Sequence, residues 1–173
     1  MNIIKKLISI YQKKTNPIKY ARKIGVAIGK NCKLHGSPNW GSEPWLISIG
    51  DYSEVSFECA FVTHDGAVGV IRREEKYKNV IKFGRISVGE NVFIGARSTI
   101  LPGVTIGNRA IIAAGSIVSK SIPAGEVWGG VPAHFIMTTD EYAEKCLMNT
   151  PDYDEDRLHK YKKEETLRIT KQE

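Results

Sequence analysis

An aliphatic residue recurs at every sixth position through the middle of the chain. In register, residues 88–123 read VGENVF, IGARST, ILPGVT, IGNRAI, IAAGSI and VSKSIP, led by Val88, Ile94, Ile100, Ile106, Ile112 and Val118. Gly89, Gly95 and Gly107 follow their leaders, and Val92, Ser98, Val104, Ala110, Ser116 and Ile122, mostly small or β-branched, stand four places after them. Neither the 3.6-residue period of a helix nor the 2-residue period of a half-buried strand generates this spacing. The same frame appears in IGDYSE, VSFECA and FVTHDG (49–66) and more loosely in IGKNCK and LHGSPN (28–39), eleven hexads in all.

One such unit suffices for a short strand and a turn. With the leader and the residue four places on pointing inward, three units close a triangular coil. Triangles stacked about 4.8 Å apart give interior strands parallel partners on both sides. The pattern therefore predicts an all-β architecture, a parallel β-helix over residues 24–136, with aliphatic ladders as its core. Corner glycines avoid a Cβ clash, and Ser98 and Ser116 are expected to hydrogen-bond backbone inside the corners.

Two stretches break the frame. Residues 67–85 carry eight charged side chains and leave the solenoid directly after Thr63-His64-Asp65-Gly66. Excursions from a rigid scaffold commonly carry binding function. Residues 37–46, SPNWGSEPWL, form the second break, with Trp40 and Trp45 expected on the same side. The flanks are helical in pattern. In residues 1–23, Ile3, Ile4, Leu7, Ile8 and Tyr11 form an amphipathic stripe expected to end near Pro17. After Pro132 the pattern turns helical. Residues 137–173 form a C-terminal helical segment: one helix starts at Thr139-Asp140-Glu141 and runs to Met148. Beyond Pro151 another carries Leu158, Tyr161, Leu167 and Ile169 on a thin apolar stripe.

Composition narrows the setting. Of 173 residues, 25% are charged and 42% apolar, values that exclude disorder and a membrane channel. Lys and Arg number 25 against 19 Asp and Glu, a surplus of +6 that favours an anionic partner. Acids and bases are mixed in the C-terminal segment, which argues against a nucleic-acid arm. Three unevenly spaced cysteines build neither a disulfide framework nor a zinc ribbon, so a cytoplasmic location is expected. Lys5 and Lys6 interrupt the N-terminal apolar residues, so no signal peptide is read there, and any membrane contact is expected to be peripheral.

The hexads from Val88 to Pro123, followed by VWGGVPAHFI at 127–136, resemble the hexapeptide-repeat acyltransferases, in particular the sugar and polysaccharide O-acetyltransferases of galactoside and maltose acetyltransferase type. SEPWLISIG (42–50) and THDG (63–66) are similar to the cell-surface polysaccharide members, and GSIVSKSIPAG with GGVPA to the CoA-dependent ones. The resemblance implies a left-handed β-helix, an exception to the right-handed crossover rule. It also implies a homotrimer with acetyl-CoA in grooves between subunits and a saccharide, nucleotide-sugar or lipid-linked glycan as acceptor. A sugar N-acetyltransferase and a non-catalytic β-helix scaffold are the alternatives. The γ-type carbonic anhydrases share the fold but hold zinc with three histidines including a close pair; no such pair is present, so no metal is expected.

Moving an acetyl group from a thioester to a hydroxyl requires a base, and histidine suits that task near neutral pH. His64 is the candidate: it stands fourth in its hexad, between two inward positions, where the excursion departs. Asp65, Glu54 and Glu58 are candidate orienting carboxylates. By resemblance, the Ala96 N–H serves the oxyanion, Phe93 lies beside the acyl group, and Ala114 contacts the pantetheine arm. Ser119 and Lys120 approach the phosphates, while Gly130, Pro132 and His134 shape the adenine end, with His134 standing where many relatives carry Arg or Lys. Asp65, Arg72, Arg73 and Tyr77 are expected substrate contacts.

Overall fold

The computed structural model describes residues 11–170, so Ile3, Ile4, Leu7 and Ile8 of the expected N-terminal stripe lie outside the described residues. Two compact units are present, one through Thr139 and one from Asp140 onward. In the first, short strands stack into three parallel faces. The first face comprises Ala27–Ile28, Ile47–Ile49, Ile86–Val88 and Thr105–Ile106. The second comprises Lys33–Leu34, Glu54–Val55, Phe93–Ile94, Ile111–Ile112 and Glu126–Gly130, and the third Ala60–Phe61, Thr99–Ile100 and Ile117–Val118. Ile94 pairs with Ile112 and Ile100 with Val118, so each leader stacks on the third leader after it and three hexads make one turn. All six leaders from Val88 to Val118 are at most 4% exposed, and the residues four places on are at most 3% exposed.

The hexad's fourth position explains how so short a unit turns. Asn31, Tyr52, Glu58, Asn91, Arg97, Gly103, Arg109 and Gly115 all occupy it, and all have φ between +53° and +84°. This left-handed turn lets the Arg97 N–H donate to Phe57 O and the Gly115 N–H to Ala96 O, carbonyls on the coil before. Inside the corners, the Ser98 and Ser116 hydroxyls both donate to Ala113 O, at 3.1 and 2.6 Å, and Ser53 to Gly89 O at 2.8 Å.

Pairing offsets locate the interruptions. Ala27 pairs with Ser48, a longer step along the chain than from Ile94 to Ile112, so the first turn carries extra residues. Ala60 pairs with Thr99, a far longer step, because the excursion is inserted between them. The excursion leaves through an antiparallel neck: the Gly84 N–H donates to Thr63 O and the Asp65 N–H to Lys82 O, with His64 bridged to Phe83.

At the flanks one expectation holds and two are corrected. The first helical run does end beside Pro17, its last helical residue being Thr15. Pro17 then opens a second helix, Pro17–Lys23, because its missing N–H and fixed φ suit a first helical position; the Asn16 side chain caps it through Lys19 N. Residues 133–138 are a strand rather than helical, pairing antiparallel with Glu126–Gly130 as an aromatic and β-branched hairpin arm. In the second unit the helix Thr139–Met148 is present, but the final segment breaks at Tyr161 (φ −132°, ψ 51°) into Glu155–Lys160 and Lys162–Ile169.

The apolar stripe of that segment is largely uncovered within its unit, with Tyr161 56% and Leu167 57% exposed, and the fully buried residue is Glu165. Its carboxylate accepts from Arg168 at 2.5 and 3.1 Å, Arg157 at 3.2 Å and the Asp154 N–H at 3.1 Å. The Arg168 guanidinium foremost, then the Asp154 amide, lower the carboxyl from 4.5 to about 2. A depressed folded pKa contributes stability above the unfolded value and loses it as pH falls through the folded one. The two helices are therefore expected to hold together at pH 5 and to separate as pH falls from about 4.5 toward 2, read by amide exchange in residues 154–170.

Candidate functional site

At the fourth position of its hexad, where eight other hexads turn left-handed, His64 does not, and it pairs with Phe83. The imidazole is thereby carried to the vertex that follows the third face, with 40% of its side chain exposed. Below it on the same edge lie Leu101 and Pro102, then Ser119, the residues that follow the next two strands of that face. Together with Asp65 and Lys82 they line an open cleft of about 390 Å3.

His64 Nδ1 lies 2.9 Å from Glu43 Oε2, and the buried Thr63 hydroxyl donates to the same oxygen at 2.6 Å. These two bonds, Thr63 first, hold the Glu43 carboxyl below its ordinary range, so it is an acceptor at neutral pH. Nδ1 is therefore the donor in this contact, and in the neutral ring that tautomer places the lone pair on Nε2. The orienting carboxylate thus comes from the irregular 37–46 stretch. Glu54 is instead paired with His35 at 2.6 Å and Glu58 with Arg97 at 2.7 Å. Asp65 binds the Ala67 N–H through Oδ1 and Lys82 Nζ, at 2.8 Å, through Oδ2, and Lys82 foremost lowers its carboxyl pKa. Trp40 is buried, stacked on Phe61 at 5.0 Å, whereas Trp45 is exposed. Sequence reasoning missed Glu43, Lys82 and Phe83. The signal for Glu43 was weak: an acidic residue in an aperiodic stretch flanked by two tryptophans.

The remaining expected site residues are distributed over the prism. Ala96 and Ala114 are stacked on the vertex between the second and third faces, on successive coils, and neither N–H finds an acceptor among the described residues. Phe93 is 40% exposed on the second face, in a separate cleft of about 300 Å3 with Tyr52, Asn91 and Arg109. Ser119 shares the His64 cleft, and Lys120 is exposed beside it. Gly130, Pro132 and His134 sit at the tip of the terminal hairpin, where the Val131–Pro132 bond is cis. In the excursion, Arg72 Nε donates to Val80 O at 2.6 Å and braces the loop, and Lys76 Nζ lies 5.1 Å from the Tyr77 ring centroid. Arg73 is exposed, and none of Arg72, Arg73 and Tyr77 lines the His64 cleft. Within one chain, then, the imidazole and the free amides of Ala96 and Ala114 stand on different vertices.

A family model described as the hexapeptide repeat of succinyl-transferase matches residues 85–120. Protein CapG of Staphylococcus aureus is 40% identical over 134 residues, 76% of each chain. The galactoside O-acetyltransferase of Escherichia coli K12 is 53% identical over 51 residues, 30% of this chain and 25% of that one. Among solved structures, a hexapeptide-repeat-containing acetyltransferase of Vibrio cholerae O1 biovar eltor, complexed with acetyl coenzyme A, superposes with a TM-score of 0.58 at 19% identity. That match covers 77% of this chain and 84% of the other, and it shows likeness of fold.

Proposed function

Since the chain belongs to the hexapeptide-repeat acetyltransferases, we propose that it moves an acetyl group from acetyl-CoA to a sugar hydroxyl, with His64 as general base, in cell-surface polysaccharide synthesis. The observation that carries this reading is the bond between His64 Nδ1 and Glu43, which leaves Nε2 as the basic nitrogen of an imidazole lining an open cleft. A carboxylate on one nitrogen fixes the tautomer and stabilises the imidazolium formed when the other accepts a proton.

The residues divide the work as follows. His64 Nε2 takes the hydroxyl proton as the sugar oxygen bonds to the thioester carbonyl carbon. The Ala96 N–H, without an acceptor among the described residues, is suited to the oxygen that gains charge. As the C–S bond breaks, the imidazolium returns the proton to the departing CoA sulfur, so no proton is lost or gained. Ala114 offers a second free amide for the pantetheine arm, and Ser119 and Lys120 supply a hydroxyl and a cation for the phosphates. Gly130, Pro132 and His134 shape the adenine end in this reading.

The split of these groups over two vertices supports a homotrimer of left-handed β-helices in which one subunit's His64 meets a neighbour's Ala96 and Ala114. Phe93, on the second face, fits the same reading as a contribution from the neighbour to the acyl pocket. Acetyl-CoA-dependent thiol release tests the function: release is expected only with a saccharide acceptor and with stoichiometric sugar ester, whereas a scaffold gives none. Glu43→Gln is expected to lower kcat about 10- to 100-fold with the acetyl-CoA KM unchanged, because an amide donor at Nδ1 favours the wrong tautomer. Steady-state kinetics at fixed pH reads this directly.

A further inference from the structure

The neck of the excursion holds two side chains that its own stability does not require. Backbone bonds already close it, Gly84 N–H to Thr63 O and Asp65 N–H to Lys82 O, each at 2.9 Å. Yet the Phe83 ring centroid lies 5.8 Å from the His64 ring, at an interplanar angle of 51°, and Phe83 stays 55% exposed. Beside it, Lys82 lines the His64 cleft and its Nζ binds Asp65 Oδ2, with 64% of the lysine side chain exposed. One ammonium proton is engaged there, leaving two donors, and the Asp65 carboxylate retains unused lone pairs.

An exposed aromatic ring against the His64 imidazole, with a cation that has spare donors and a carboxylate that has spare acceptors in the His64 cleft, matches a polyhydroxylated ring. A pyranose presents a C–H face to an aromatic surface and neighbouring hydroxyls that both donate and accept. Resting on the acetyl-transfer reading above, we infer that Phe83, Lys82 and Asp65 form the acceptor subsite for a pyranoside. The sugar ring lies on Phe83, one hydroxyl receives a bond from Lys82 and gives one to Asp65, and a nearby hydroxyl faces His64. Phe83 and Lys82 set acceptor specificity; they take no part in the proton transfer. A neutral sugar suffices as ligand, because Asp65 already offsets the charge of Lys82.

Binding and turnover are measured separately so that the subsite and the reaction stand or fall on different results. The probes are the methyl pyranosides of glucose, galactose, mannose and N-acetylglucosamine, read by saturation-transfer difference NMR on the full chain. At least one is expected to bind, with its ring C–H signals saturated. Phe83→Ala is expected to weaken that binding about tenfold, Phe83→Trp to restore it, and Lys82→Met to weaken it several-fold. In turnover, the same variants raise the acceptor KM and leave the acetyl-CoA KM unchanged. Binding that is unaltered in Phe83→Ala, a shift in acetyl-CoA KM equal to that for the acceptor, or no pyranoside binding to wild type overturns the subsite. Binding that depends on Phe83 without acetyl transfer to any bound sugar keeps the subsite and overturns the reaction.

Discussion

His64→Ala is expected to lower kcat for acetyl transfer by about 10²- to 10⁴-fold, the range associated with loss of a positioned general base. A sugar hydroxyl is a weak nucleophile at neutral pH, and alanine leaves nothing at the vertex to receive its proton. The void opens onto an already solvent-accessible cleft, and His64 is held to Phe83 through backbone, so the neck and the coil stack remain intact. The unfolding temperature is therefore expected to stay within a few degrees of wild type. Acetyl-CoA affinity is also expected to persist, since the proposed donors are the Ala96 and Ala114 amides and the Ser119–Lys120 corner. A fall in kcat at unchanged acetyl-CoA KM assigns His64 to the chemical step; equal activity in His64→Ala and wild type removes the base from the mechanism.

The coils were legible because each inward position obeys the same constraint many times over. An aliphatic leader at the head of every hexad has one efficient way to be buried, and Val88 through Val118 take it. Local spacing also locates the break, since the hexad FVTHDG ends where residues 67–85 cease to repeat. The site was less legible because its second half depends on a coil that departs from the repeat. Glu43 is distant from His64 in sequence and reaches it only because the first turn carries extra residues and bulges toward that vertex. The nearer candidates Asp65, Glu54 and Glu58 are all engaged elsewhere: the Asp65 side chain caps the excursion's first turn and pairs with Lys82, Glu54 pairs with His35 and Glu58 with Arg97. In the second unit an apolar stripe suggested the packing face, while the actual organising centre is an ion network around Glu165, whose members look like ordinary surface charges in sequence.

Gly95→Ala is the second substitution with a large expected effect, and its cause distinguishes two kinds of glycine in these coils. Gly95 is buried and does not have a left-handed φ, so backbone strain is not the issue. A Cβ there would meet Ala114 N at 2.5 Å, Ile112 O at 2.7 Å and Ala113 C at 2.8 Å. All three are backbone atoms of the next coil, fixed by the Gly95 N–H bond to Ile112 O and the Gly115 N–H bond to Ala96 O, so none yields by a rotamer change. The methyl must push two coils apart, and overpacking of this kind costs about 3 kcal/mol. For a domain of this size that lowers Tm by about 6–12 °C, measurable by calorimetry. Gly115 is the counter-case: its φ is +73° and nothing lies within 4 Å of its missing Cβ. Asn31 and Asn91 occupy the equivalent position in other hexads, so Gly115→Asn is expected to change stability by less than about 1 kcal/mol. Because Gly95 precedes Ala96 and abuts Ala114, its alanine variant also displaces both free amides, and acetyl-CoA KM is expected to rise together with the loss of stability. A Gly95→Ala protein as stable as Gly115→Asn would mean that the coils separate at little cost, against the close backbone stacking on which the aliphatic ladders depend.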